Sequence, residues 1–335
     1  MMLPLVQPET PRMIVPDIRT TLACCRTNQI IYKNYETEES VDNLVEDEFA
    51  CIDHVHIYAE NTTWGTSVMI TSSENQNFIL VTCGNKKNRC ERVSENRNAY
   101  TPFTLSNNDC PDPSAEVHNF FSESYFNDGL RKEIELNIET LTQLYPEKQI
   151  IITGHHYGAA TAILYGLSTA IAYPWINITV IALSAPRVGN ENFNWLIKNE
   201  KSLNIWRFDY ENDHVTQFPS VTYAHVGHLI TLSDFGAIYS PCGENSEIDK
   251  FNFAISKFGR VFPSLIESQT RIDRCFDYFL SKALVNPSKF YFNESVLIDD
   301  DNDQDRYNGM LNSALGCAFG QIISTSDFKK FTDMM

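Results

Sequence analysis

From residue 54 onward, apolar positions alternate between strand-like runs and helix-spaced sets. Runs at His54–Ala59, Thr66–Thr71 and Phe78–Thr82 predict three successive strands. Residues 86–115 are polar, rich in Asn and broken by Pro102, Pro111 and Pro113, which predicts one long loop. From Phe120 to Tyr145, apolar residues recur at Leu130, Ile134, Leu136, Ile138, Leu141 and Leu144, the stripe of an amphipathic helix. Next come an apolar strand at Gln149–Thr153, a helix of small residues at 157–172, a strand at Ile178–Leu183, a helix at Asn190–Lys198 and a strand at Asn204–Phe208. Strands alternating with helices of this length predict an α/β fold whose sheet is mostly parallel, with helices on both faces.

Composition narrows the class. A chain of 335 residues, 43% of them hydrophobic, can bury one full core. Its 26 basic and 43 acidic residues give a net charge of −17, which argues against nucleic acid and anionic membranes as partners. No apolar run reaches the roughly 18–20 residues that a bilayer span needs. The first 17 residues hold four prolines and no continuous apolar stretch, so no secretory signal is read there. Nine cysteines, with Cys24, Cys25, Cys51, Cys83, Cys90 and Cys110 crowded into the first third, point toward disulfides and an oxidising compartment. Localisation stays open, secretion included.

Candidate chemistry centres on Gly154-His155-His156-Tyr157-Gly158, placed between the strand at 149–153 and the helix that follows. Strand, glycine turn, helix is the setting of a G-x-S-x-G nucleophile elbow, with His156 where the serine would stand. Further on come Leu183-Ser-Ala-Pro-Arg-Val-Gly-Asn190, then Arg207-Phe-Asp-Tyr-Glu-Asn-Asp213-His-Val-Thr-Gln-Phe-Pro219, then Tyr223-Ala-His225-Val-Gly227. Together with Val117-His118-Asn119-Phe120-Phe121 upstream, these segments resemble the class 3 (fungal-type) triacylglycerol lipases. The resemblance covers residues 50–285 and implies an α/β-hydrolase fold for that stretch. Residues 1–49 then form an N-terminal lead and helix/loop region, and 286–335 an acidic linker and a tail helix.

The resemblance also implies roles. Asp213 matches the triad carboxylate, and Arg274-Cys275-Phe276-Asp277 puts Cys275 at the triad histidine's position. No histidine follows His228, so two of three triad positions carry the wrong side chain. The oxyanion-hole positions fall on Asn85, in Leu80-Val-Thr-Cys-Gly-Asn85, and on the backbone N–H of Tyr157. This reading expects a lipase-like protein that has lost ester hydrolysis and binds a lipid, an acyl ligand or a protein partner. The alternative is a hydrolase working through a Cys275 thiolate and His156. Against that pair, Asp213 would be expected to face Cys275 rather than orient His156, and a neighbouring carboxylate would raise the thiol pKa.

Other candidates carry less. His54 and His56 share a strand face at metal-ligand spacing without a third ligand, so no metal and no cofactor are expected. His225 and His228 flank the presumed site. Asp299 to Asp305 resembles a calcium loop but lacks its glycine and its final acid, and reads as a solvated linker. Residues 310–323 have the apolar content of a docking tail helix. The loop after the oxyanion strand has no Trp and scattered apolar residues, unlike an interfacial lid.

Overall fold

The computed structural model describes residues 16, 18–45, 54–61, 65–74, 76–85, 100–105, 109–125, 130–210, 213–219, 223–233 and 236–240. Among the described residues, eight strands make the main sheet: β1 (His54–Asn61), β2 (Thr66–Ser72), β3 (Phe78–Asn85), β6 (Gln149–His155), β7 (Ile178–Leu183), β8 (Leu203–Tyr210), β9 (His228–Ser233) and β10 (Gly236–Ser240). Their spatial order is β1-β2-β3-β6-β7-β8-β9-β10. The five strands from β3 to β9 run parallel, and antiparallel pairs close each edge. Two short strands, β4 (Tyr100–Pro102) and β5 (Glu116–His118), pair separately. The expected loop at 86–115 therefore contains an edge strand, and its proline sits where an edge tolerates the missing donor.

Among the described residues, six α-helices accompany the strands: α1 (Ile18–Thr37), α2 (Val41–Leu44), α3 (Asn119–Tyr125), α4 (Leu130–Leu144), α5 (Tyr157–Ala172) and α6 (Glu191–Asn199). The single helix expected over Phe120–Tyr145 is thus two helices. The intervening sequence contains Asn127-Asp128-Gly129, a set of helix breakers.

Helices α5 and α1 both pack against β3, β6 and β7. Strand alternation divides the contacts between two faces. Val81 and Cys83 of β3, Ile150 and Ile152 of β6, and Val180 and Ala182 of β7 join the α5 side chains in the main core. The alternate positions meet α1: Thr82 Oγ1 donates to Thr27 Oγ1 at 2.8 Å, and Tyr32 Oη lies 2.8 Å from His155 Nδ1. Residues 20–32 of α1 are all buried, polar ones included. A helix buried around its whole circumference shows no apolar stripe, which is why the hydrophobic pattern does not reveal it.

The clustered cysteines do not form disulfides among the described residues. Cys24, Cys25, Cys83 and Cys110 are thiols. Neighbouring helical residues such as Cys24 and Cys25 point in diverging directions, and Cys83 faces the α5 side of the sheet while α1 lies on the other. Among the described residues, no helix is long and apolar enough to cross a membrane. Cys51, Cys90, Cys275, the acidic run at 299–305 and the segment 310–323 lie outside the described residues.

Candidate functional site

Strand β6 ends at His155 and α5 begins at Tyr157, so His156 makes the turn alone. Its backbone sits at φ 52° and ψ −116°, a conformation that glycine adopts freely and other residues hold only under strain. Neighbouring contacts enforce it. A Cβ on Gly154 would lie 2.3 Å from the carbonyl carbon and oxygen of Gly158, and one on Gly158 would lie 2.3 Å from the Cys83 carbonyl oxygen. Both glycines are required because β3, β6 and the first turn of α5 approach backbone to backbone. His156 N–H donates to the Leu183 carbonyl at 3.0 Å, and Ala159 N–H to the His156 carbonyl at 3.0 Å, which pins the turn on both sides.

The segment after β8 brings Asp213 to the same sheet edge, at the C-terminal ends of the parallel strands. Asp213 Oδ1 accepts from Val215 N–H at 3.0 Å, capping a short 3₁₀ turn at His214–Gln217. Its Oδ2 lies 2.9 Å from His156 Nε2. The pair is buried, with side-chain exposures of 4% for His156 and 0% for Asp213. Asp213 thus contacts the residue that makes the elbow turn. Consecutive strand side chains point to opposite faces, but the elbow turns the chain, and the His155 and His156 rings stack with centroids 3.8 Å apart. One donor atom each from His155, His156 and Asp213 falls within a span of 4.8 Å.

Asn85 ends β3 beside the start of α5. Both atoms of its side-chain amide are buried without a hydrogen-bond partner among the described residues. Tyr157 opens α5, with its ring 6.0 Å from those of Phe120 and Phe121. Burial pushes the nearby Cys83 thiol far above its ordinary range, so Cys83 supplies no thiolate.

The other motif segments form a backbone weave around this point. His118 N–H donates to the Val188 carbonyl at 2.9 Å, Asn190 N–H to Glu116 at 2.9 Å and Ala224 N–H to Gly189 at 2.7 Å. A Cβ on Gly189 would lie 2.6 Å from the Glu116 carbonyl oxygen. The Arg187 guanidinium donates to the carbonyls of Gln217 and Pro219. Arg207 donates to the Val226 carbonyl, to Asp209 and to His225 Nδ1 at 2.7 Å. Burial first, then Arg207 and Arg187, hold the His225 pKa well below the usual histidine range. His228 packs on Trp206 with ring centroids 4.9 Å apart, and burial followed by Arg207 pushes its pKa down to about 4. These two histidines thus belong to the scaffold beneath the site. His54, 3.9 Å from Glu74, and His56, whose Nε2 lies 2.8 Å from Ser72 Oγ, stand on the edge strand β1, away from the site.

The structure brings His155, His156, Asp213, Asn85 and Tyr157 to one sheet edge. Sequence reasoning treated His155 only as part of the turn and passed over Tyr32 altogether. Tyr32 lies 123 residues from His155, and no local pattern links them.

The family description "Lipase (class 3)" matches residues 80–223. Phospholipase A1-IIalpha of Arabidopsis thaliana is 25% identical over 127 residues, covering 34% of this chain and 30% of its own length. Secreted mono- and diacylglycerol lipase 2 of Gibberella zeae is 30% identical over 121 residues, covering 36% of this chain and 28% of its own length. The matched stretch therefore spans less than a third of either relative. Among solved structures, the lipase from Rhizopus microsporus var. chinensis superposes with a TM-score of 0.57 at 19% identity, covering 78% of this chain and 92% of that one. Lipase II from Rhizopus niveus gives 0.59 at 16% identity, covering 75% and 92%. At such identities the likeness concerns the fold, which is that of the α/β-hydrolases. Over residues 80–223, the chain is thus similar to the class 3 lipases.

Proposed function

We propose that this protein uses a lipase site to bind an acyl or lipid ligand and does not turn over esters by serine chemistry. The observation that carries the reading is the 2.9 Å contact between His156 Nε2 and Asp213 Oδ2. In a serine triad the carboxylate orients a histidine, and the histidine takes the serine proton. Here the carboxylate is engaged by the residue standing in the serine's place, so the three-group relay collapses to two. The imidazole has no hydroxyl to activate at that position, and loss of the serine or of the histidine alone costs on the order of 10⁶ in turnover in a well-studied serine protease. What remains suits binding: the Asn85 amide, buried without a partner among the described residues, suits an acyl carbonyl, and Phe120, Phe121 and Tyr157 form an aromatic wall beside it. We assign the binding unit to residues 50–285, with α1 of the 1–49 lead packed upon it and 286–335 as linker and tail.

The same contact also favours a second reading. An Asp–His pair is what a cysteine nucleophile would need, and His156 is oriented by Asp213 rather than deprived of it. If Cys275 reaches His156, a thiolate hydrolase results.

The purified full chain separates the readings. It is expected to show no hydrolysis of p-nitrophenyl acyl esters above a heat-denatured control, no fluorophosphonate labelling, and saturable displacement of a bound fluorescent fatty acid. Turnover abolished by Cys275→Ala would establish the second reading, and turnover that survives it would overturn both. A His156→Ser/Cys275→His double variant is expected to regain weak esterase activity, since each group needs the other.

A further inference from the structure

We infer that Asn177 is an acceptor for an N-linked glycan and that Trp175 is the platform on which its first sugar stacks. The run Trp175-Ile176-Asn177-Ile178-Thr179 contains the acceptor pattern Asn-x-Thr, with isoleucine and not proline in the middle position. A three-residue match by itself is weak in a chain rich in Asn. The fold adds a second observation, because exposure alternates along the run. Trp175 and Asn177 are exposed, Ile176 and Ile178 enter the main core, and Thr179 is half-buried. Alternation of this kind sets every second side chain on the outward side. The indole two residues before the acceptor is thus presented beside it.

Trp175 is 71% exposed, more than Leu136, Leu144 or Trp195. Its turn is closed by the Ile176 N–H, which donates to the Tyr173 carbonyl at 2.9 Å, and the Tyr173 ring meets the indole at 5.6 Å with the planes nearly perpendicular. One face of N-acetylglucosamine carries only C–H groups, whose partial positive charge suits the electron-rich face of an indole. A sugar on Asn177 would therefore cover apolar surface that Trp175 otherwise leaves in water. Residue 177 precedes β7, at the end of the sheet opposite the elbow, so a glycan there leaves the candidate site open. In the transfer, Asn177 Nδ2 displaces the pyrophosphate of a lipid-linked oligosaccharide. The Nδ2–C1 bond forms, the C1–O bond to phosphate breaks, and one amide proton leaves with no change of oxidation state. Transfer acts on the unfolded chain, so the later pairing of Thr179 with Ile151 and Asn204 does not oppose it. The assignment implies passage through the secretory compartment, and the buried thiols of Cys24, Cys25 and Cys83 are compatible with it. It is independent of whether the protein binds acyl groups or turns over esters.

The test directs the full chain into the secretory pathway of a cultured eukaryotic cell. Enzymatic glycan release in heavy-oxygen water, followed by peptide mass spectrometry, reads each asparagine separately, so the matching patterns at Asn61 and Asn293 do not enter the result. The label is expected at Asn177 in the wild type and is expected to be lost in Thr179→Val, which keeps the strand side chain's shape. Trp175→Ala leaves the acceptor pattern intact and is expected to lower occupancy at Asn177. The glycosylated wild type is also expected to melt higher than the same protein after glycan release, and that difference to shrink in the glycosylated fraction of Trp175→Ala. A secreted wild type unmodified at Asn177 would overturn the acceptor. Occupancy and melting difference both unchanged by Trp175→Ala would overturn the platform.

Discussion

The two faces of the central sheet are held in different ways. On the α5 face, Val81, Ile150, Ile152 and Val180 meet Ala159, Ala162 and Ile163 in an apolar core, and the fit depends on backbone approach at Gly154 and Gly158. On the α1 face a smaller apolar cluster of Ile30, Ile31 and Met69 is joined by polar, particular contacts: Thr27 with Thr82, Tyr35 with Ser67, Tyr32 with His155. The α5 face is shaped by volume and tolerates no additional atom at the elbow. The α1 face adds hydrogen bonds to its apolar contacts, and one of them holds the His155 ring.

The largest effect is expected from challenging the two faces with one methyl group or more. Gly154→Val should abolish folding, because its side chain would overlap the Gly158 backbone, which cannot move without dismantling the elbow. Gly84→Ala is the matched test on the other face. There the new Cβ would lie 2.5 Å from Ile31 Cγ2 and 2.6 Å from Ser67 Oγ, both side-chain atoms that can shift. Overpacking of that kind typically costs about 1–3 kcal/mol. Urea titration followed by circular dichroism distinguishes a lost transition from a displaced one. Equal losses in both variants would erase the proposed contrast.

The next effect concerns the pair at the edge between the faces. His156→Ala removes the partner of a buried carboxylate and should cost about 3 kcal/mol, the lower end for a broken buried pair, since water can enter the vacated space. Alanine keeps the strained φ of 52°. His156→Gly relieves it and should therefore lose about 1 kcal/mol less. Chemical denaturation of both variants tests the order, and an alanine variant more stable than the glycine variant would show that the turn stores no strain.

The same contrast determines what could be read from the sequence. Strands β2, β3, β6 and β7 and helix α5 were legible because their apolar runs match the face they bury, and the elbow glycines announce a turn that only they permit. Asp213 was singled out through the family resemblance of Arg207 to Pro219, and its side chain contacts residue 156. Helix α1 was legible only as an unplaced part of the helix/loop region at 1–49, since burial on every side removes the periodicity that marks a helix. Strands β9 and β10 were missed as well: Gly227 and Gly236 punctuate short runs too mixed to separate from loop. The joining of Tyr32 to His155 is a product of tertiary packing, and nothing in either local sequence encodes it.

A smaller effect should come from acid. The folded His228 pKa of about 4 lies below the roughly 6.5 of an unfolded histidine. Its contribution to stability is present in full above about pH 6.5 and is lost as pH falls toward 4, because the unfolded chain binds the proton first. His225, depressed by burial and by Arg207 and Arg187, acts in the same direction. His228→Phe, which keeps a ring against Trp206, should flatten the fall in melting temperature between pH 6.5 and 4. An unchanged slope would move the acid sensitivity elsewhere.

The smallest effect probes the α1 face by itself. Thr82 Oγ1 donates to Thr27 Oγ1 across the layer, and Thr27 Oγ1 in turn donates to the Cys24 carbonyl within α1. Thr27→Val keeps the shape and removes the acceptor, leaving the Thr82 hydroxyl buried without it. That should cost about 1–2 kcal/mol, the penalty of an unsatisfied buried hydroxyl. Thr27→Val/Thr82→Val removes both partners and should recover most of the loss, since two apolar groups of the same shape need no hydrogen bond. A double-mutant cycle by urea denaturation measures this directly. Strong coupling would show that α1 is docked by specific polar pairs. Additive losses would mean that α1 is held by volume, as α5 is, and the contrast between the faces would reduce to their composition.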